Sequence, residues 1–324
     1  MAKRTKKLKF KNNLFSLKKL FISFTVFLLL FITFGIGLKS GAERNELYKI
    51  TKYFKDKIFT SKNKVSNLEI SKKFENKIEY KKNQYDQLTF YHDKIQIERP
   101  LIDKKTLIIF TFGQSNSANH GGEKFFPKNK NIINYWNKNF YLASDPLLGA
   151  TGVAGSVWTN LGTKIVNNDL AEKVIIVAAG VSGTSIKKWA NYGNLNEMLI
   201  ERLKEAKKQK LNINYFFWHQ GESDYILSPV IYSKKLSEVI KLTKKFYPKS
   251  DFFVSQASKC GVYPSNESLL NAQKEITKLN GVYLGPNTDL IEVEDRYDGC
   301  HLSGRGLEKH ADAWFRIVKN HIKK

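Results

Sequence analysis

A serine, an aspartate and a histidine stand where acyl-transfer chemistry could be done. Ser115 follows the apolar run Leu107-Ile108-Ile109-Phe110-Thr111-Phe112 and the turn Gly113-Gln114. A short apolar run bounded by Gly reads as a buried parallel strand, and the C-terminal end of such a strand is where open α/β sheets hold ligands. A serine there is a nucleophile only if a base and an oxyanion site come from elsewhere. Otherwise Ser115 or Asn116 is a helix N-cap. Far downstream stands Asp298-Gly299-Cys300-His301. Across a Gly, the carboxylate can turn back to the imidazole Nδ1–H, fix its tautomer and leave Nε2 free to take a proton from a serine. The other reading of this pattern is an ordinary polar loop.

Two more stretches place polar groups after apolar runs. In Gly180-Val181-Ser182-Gly183-Thr184-Ser185-Ile186, the missing Cβ of Gly183 can leave its N–H open to a ligand, or Gly183 is a plain turn residue. In Trp218-His219-Gln220-Gly221-Glu222-Ser223-Asp224, Gln220 can point an amide N–H into a cleft. Glu222 and Asp224 are either catalytic carboxylates or, as expected here, groups that fix the loop and cap the next helix. His219 is read as an imidazole without a carboxylate at comparable spacing, and His120 and His310 as surface residues. Trp189 is either an apolar wall for a ligand or part of the core. Cys260 and Cys300 are the only cysteines. They suit no metal-ligand spacing and can form one bridge if the domain faces an oxidising compartment.

The elements that must position these residues alternate in type. Strands are expected at Leu107–Phe112, Lys173–Ala179, Asn214–Trp218, Asp251–Gln256 and Gly281–Leu284. Between them, one helix opens at Ser228-Pro229 with Leu236, Val239 and Ile240 on one face. Another runs from Asn266 through Leu269, Ala272 and Ile276. A last one opens at Ser303 and carries Leu307, Ala311, Trp314 and Val318. Such alternation implies a mostly parallel, five-stranded sheet covered on both faces, a three-layer α/β/α domain over residues 105–324. There is no internal repeat.

The chain has 324 residues, 54 Lys and Arg against 30 Asp and Glu, and a net charge of +24. That balance invites a nucleic-acid reading, but the lysines are scattered and no zinc-finger spacing or aromatic-interleaved basic motif occurs, so nucleic acid is not expected as a partner. Residues 1–19 are basic and carry no acid. Leu20 to Leu38 is uncharged and spans roughly 28 Å as a helix, close to the hydrocarbon core of a bilayer. The expectation is a cytoplasmic tail, a transmembrane helix over residues 20–38 and an outward-facing remainder. The alternative is secretion after cleavage near Ser40-Gly41-Ala42. Residues 39–104 read as a charged stem, with Leu47, Ile50, Phe54 and Ile58 at helical spacing.

Taken in order, Gly-Gln-Ser-Asn, Gly-Thr-Ser-Ile with its following Trp, Trp-His-Gln-Gly-Glu-Ser-Asp and Asp-Gly-Cys-His-Leu-Ser resemble the SGNH hydrolase superfamily, in its branch of sialate O-acetylesterases and related carbohydrate acetylesterases. The resemblance covers roughly residues 105 to 320. It implies a flavodoxin-like three-layer fold and a serine esterase that removes O-acetyl groups from a carbohydrate, with no metal or cofactor. By the same resemblance, Ser115 is the nucleophile and Asp298 and His301 complete the triad. The Gly183 N–H and the Gln220 amide, standing where most of the superfamily has Asn, meet the oxyanion. Ser182 departs from the Gly common at its position, which makes Gly180 the fallback donor. Cys260 and Cys300 are then expected on the rim, where a bridge would pin the histidine loop. An O-acetyltransferase acting on an envelope or capsular glycan through the same site is the alternative, because its first half-reaction is identical.

Overall fold

Side-chain alternation along one strand sets the layers. The computed structural model describes residues 79–323. Here β4 (Thr106–Gly113) is buried along its whole length. Ile108, Phe110 and Phe112 point to one face, against Leu199, Leu203, Leu236, Val239 and Leu269. Leu107 and Ile109 point to the other, against Trp158, Leu161, Ile165, Ala311 and Trp314. A period of two with both phases apolar is what a strand covered on both faces requires.

The remaining elements follow from that strand. β1 (Tyr80–Lys82), β2 (Leu88–Tyr91) and β3 (Gln96–Ile97) precede it. After it come β5 (Ile132–Trp136), β6 (Asn139–Leu142), α1 (Val157–Asn167), β7 (Lys173–Ala178), α2 (Ile186–Trp189), α3 (Asn194–Lys208) and β8 (Tyr215–His219). The chain ends with α4 (Pro229–Phe246), β9 (Asp251–Gln256), α5 (Glu267–Glu275), β10 (Val282–Asn287) and α6 (Gly304–Ile322). Helices α1 and α6 cover one face of the sheet; α3, α4 and α5 cover the other. Pro229 opens α4, but Ser228 makes no side-chain cap. Ser303 caps α6 by accepting the Gly306 N–H at 3.2 Å.

The sheet corrects the five-stranded expectation. It has eight strands in the order β10-β9-β8-β4-β7-β5-β6-β3. The five expected strands form its parallel part. β5 adds to β7 in parallel, whereas β6 and β3 run antiparallel. The sheet is therefore mixed. β5 and β6 are joined by Asn137-Lys138, both with positive φ (45° and 68°), as a tight two-residue hairpin requires.

The stem boundary shifts too. Leu88 and Tyr91 pack against Trp136 and Leu148, the Leu88 N–H donates to Ala150 O at 2.9 Å, and β3 pairs with β6. Residues 79–104 thus belong to the domain rather than to a stem. Their apolar positions are too sparse to signal strands, because the hairpin β1–β2 hides only its ends. The expected helices at residues 20–38 and around Leu47–Ile58 lie outside the described residues. Among the described residues, no helix is long and apolar enough to cross a membrane.

Candidate active site

Strand ends and one local loop supply the site. At the end of β4, Gly113 has φ +126°, and a Cβ there would lie 2.0 Å from the His219 carbonyl oxygen. Glycine is required so that the chain can turn against β8, where the Gln114 N–H donates to His219 O at 2.9 Å. Ser115–Ser117 then form a single 3₁₀ turn. The Ser115 and Asn116 N–H groups begin that turn and have no partner among the described residues, as expected for the orphan donors of a helical start. The Ser115 hydroxyl likewise has no hydrogen-bond partner among the described residues.

His301 is held by its own loop. Asp298 Oδ1 accepts the Cys300 N–H at 2.9 Å and the His301 N–H at 2.7 Å. Asp298 Oδ2 lies 2.6 Å from His301 Nδ1. This fixes the ring and leaves Nε2 outward. Burial pushes the Asp298 pKa up, but the His301 imidazole and the two backbone N–H groups outweigh it, so the carboxyl is held below its ordinary value.

Two long-range ties and one local one hold Cys300, and one of them reaches the serine turn. The Asn116 amide, beside the serine, donates to the Cys300 carbonyl, beside the histidine, at 3.4 Å. The buried Arg296 guanidinium donates to the same carbonyl at 2.6 Å. Cys260 and Cys300 are disulfide-bonded, which fastens the histidine loop to the loop after β9. No direct hydrogen bond joins Ser115 to His301; such bonds are often long before substrate binds.

Asn116 is fixed from behind by Glu222, whose Oε1 accepts its amide at 2.8 Å. The same oxygen lies 3.1 Å from His219 Nε2. His219 therefore does have a carboxylate three residues on, contrary to the sequence reading. Burial opposes charge on Glu222, yet His219 and the Asn116 amide hold its pKa well below the carboxylate range. His310 is fully buried beside His219, ring centroids 5.0 Å apart, and is not a surface residue. Burial, then the charges of His219 and Arg296, lowers its pKa well below the ordinary imidazole value.

The expected oxyanion donors part company. Gly183 has φ +65° and is exposed, with open space where a Cβ would stand. Its N–H has no partner among the described residues, so it remains available. Gln220 is turned the other way, which corrects its assigned role. It is fully buried, and its Nε2 donates to Thr184 O at 3.1 Å, to Asp224 Oδ2 at 2.7 Å and to Gln114 Oε1 at 3.3 Å. An amide spent on three internal acceptors braces the loops and offers no N–H to a substrate oxygen. Gln114 is the residue missed. Its Oε1 also accepts the Ser223 N–H at 3.1 Å, while its own Nε2 has no partner among the described residues. Asp224 accepts the Ile186 N–H at 2.6 Å and starts α2, a structural role. Trp189 is core, fully buried, with its indole N–H donated to Thr184 Oγ1 at 3.0 Å. His120, read as a surface residue, is half-buried and lies against His301. Among the described residues, no cluster of His, Cys, Asp or Glu could hold a metal ion.

Known proteins share this fold. The family model for carbohydrate esterase, sialic acid-specific acetylesterase, matches residues 105–312. No curated protein matches the chain. Among solved structures, the Arabidopsis thaliana protein AT4G34215 is similar at TM-score 0.54 and 20% identity, over 67% of this chain and 99% of that one. NanS is similar at TM-score 0.50 and 12% identity, over 67% of this chain and 98% of its own. At these identities the likeness shows the fold: an α/β domain with a mixed central sheet. The family match covers well over half of the chain and includes Ser115, Gly183, Asp298 and His301. The chain belongs to the carbohydrate esterase family of sialic acid-specific acetylesterases and is a carboxylic ester hydrolase.

Proposed function

We propose that this protein removes O-acetyl groups from a sialic acid or similar sugar through an acetyl-serine intermediate. The observation that supports the reading is the bond from Asn116 to Cys300 O, which links the residue after Ser115 to the residue before His301, whose imidazole Asp298 orients. His301 Nε2 takes the Ser115 proton as Oγ attacks the acetyl carbonyl. Asp298 stabilises the imidazolium that forms. The carbonyl oxygen gains the displaced electron pair and is met by the N–H groups of Ser115 and Gly183, with the Gln114 amide within the same turn. The tetrahedral intermediate collapses, the sugar oxygen leaves with the proton from His301, and the acetyl group stays on Ser115. Water then repeats the sequence, with His301 as base, and releases acetate.

The domain acts on the outer side of a membrane, anchored by residues 20–38. The uncharged run with its basic flank supports the anchor. The Cys260–Cys300 bridge supports an oxidising compartment.

The test is acetate release by the full-length chain from an activated acetyl ester and from O-acetylated sialic acid. Release that Ser115→Ala abolishes is expected. Transfer of acetyl to an added sugar instead of water would make the protein an O-acetyltransferase. Protease shaving of intact cells should remove the domain; protection would overturn the outward placement.

A further inference from the structure

His120 has no part in the chemistry above, yet its ring lies against His301, centroids 5.6 Å apart and planes inclined by 26°. Its backbone is fixed from the same side. The Tyr297 hydroxyl donates to His120 O at 3.0 Å, and the Tyr297 ring itself faces His301 at 6.0 Å.

One nitrogen of His120 is engaged by Thr151. Its Nε2 is 3.2 Å from Thr151 Oγ1. That oxygen accepts the Ser182 N–H at 2.9 Å and keeps one proton and a second lone pair, so it can donate to Nε2 or accept from it. In either tautomer the opposite nitrogen, Nδ1, is left to accept from or donate to a hydroxyl. Nδ1 has no partner among the described residues and is not sealed from solvent. Burial, with the nearby charge of His301, pushes the His120 pKa down to about 4, so the ring is uncharged near neutral pH and does not repel an imidazolium at His301.

The direction of the reaction tells which half of the ester meets this ring. His301 must hand its proton to the departing sugar oxygen, so that oxygen lies within hydrogen-bond reach of His301. The acetyl carbonyl points instead to the N–H groups of Ser115 and Gly183. A ring packed on His301 therefore borders the alcohol half of the substrate.

We propose that His120 is a specificity residue that binds a hydroxyl of the sugar through its Nδ1, so that polyhydroxylated acetyl esters are preferred over simple acetates. The inference rests on the esterase reading and extends it to the sugar side of the site. Its Thr151 partner belongs to the same device, because it ties the ring to the loop that carries Gly183.

The experiment compares kcat/KM for mono-O-acetylated sugars (9-O-acetyl-N-acetylneuraminic acid and 6-O-acetylglucose) with that for 4-nitrophenyl acetate, which has no hydroxyl. His120→Phe keeps a flat ring against His301 and removes both nitrogens. The ratio of sugar ester to nitrophenyl ester is expected to fall about tenfold, mostly through KM, the size of one lost hydrogen bond between uncharged groups. His120→Gln should recover part of it. If His120→Phe does not fold, Thr151→Val, which releases the ring from its tie, should lower the same ratio in the same direction. An equal fall on both esters, or an unchanged ratio, would overturn the proposal. Wild-type inactivity on every ester would instead sink the esterase reading itself.

Discussion

The Asn116 side chain donates to the Cys300 carbonyl, so the residue after the serine is bonded to the residue before the histidine. The two positions are 184 apart in sequence. The link is braced on both sides: Glu222 holds Asn116, and Arg296 and the disulfide hold Cys300. In the proposed mechanism the geometry is thus set by neighbours of Ser115 and His301, and neither the Ser115 hydroxyl nor His301 Nε2 is used in these ties.

Asp298 acts by fixing a tautomer. Asp298→Asn keeps the shape of the loop but replaces the accepting Oδ2 with a group that can donate to Nδ1. Ester hydrolysis should drop by about 10²–10⁴ in kcat with KM little changed. Steady-state kinetics on 4-nitrophenyl acetate would show it, and a variant within a few-fold of wild type would remove Asp298 from the mechanism.

Removing the disulfide should cost both stability and activity. The bridge closes a separation of 40 residues, for which loop entropy gives about 4 kcal/mol. Cys260→Ser with Cys300→Ser is expected to lower urea stability by about that amount. Under conditions where the variant is still folded, kcat should also fall, because the histidine loop has lost one of its ties. Unchanged kcat would mean that Arg296 and Asn116 suffice.

Glu222 is a buried charge with two partners, and truncating it strands both. Glu222→Ala should destabilise the domain by about 3–5 kcal/mol, since it leaves His219 buried without its carboxylate. Asn116→Ala removes one bond to that carboxylate and is expected to cost less, about 1.5–3 kcal/mol. Its effect on kcat should nonetheless be the more specific one, because the link to Cys300 goes with it. Thermal melts and kinetics on the two variants separate these effects.

His120 makes the fold sensitive to acid. Its folded pKa of about 4 lies below the ordinary 6.5 that it regains on unfolding. Between those values the unfolded chain binds the extra proton, so stability falls as pH drops from 6.5 towards 4. The loss is at most about 3 kcal/mol. His310 acts with the same sign, and Asp145, whose pKa burial raises to about 7, acts with the opposite sign. Both are common to wild type and His120→Phe, so the difference between the two proteins isolates His120. Urea unfolding at pH 7 and pH 4.5 should show wild type losing more stability than the variant, and parallel behaviour would contradict the shift.

What the amino-acid sequence determined by itself is local. The apolar runs that became β4, β7, β8, β9 and β10 each carry their own periodicity, and Asp298 and His301 are three residues apart, so a loop of four residues fixes their pairing. The helices that begin at Pro229, Glu267 and Gly304 announce themselves through apolar faces and through Asn266 and Ser303 caps. Strands β3 and β6 escaped because few of their residues are buried, and β5 (Ile132–Trp136), though buried throughout between β7 and β6, is a five-residue run interrupted by Asn134. Only the tertiary structure decided which way the polar side chains at the strand ends point. Gln220 could face a cleft or the interior, and Thr184 O, brought by another loop, together with Asp224 of its own loop, drew it inward. His120 could lie at the surface, and Thr151 and His301 gave it a partner and a neighbour. A side chain's direction is chosen by whichever acceptors and apolar surfaces surround it, and here those come from segments far along the chain, so no local pattern encodes them.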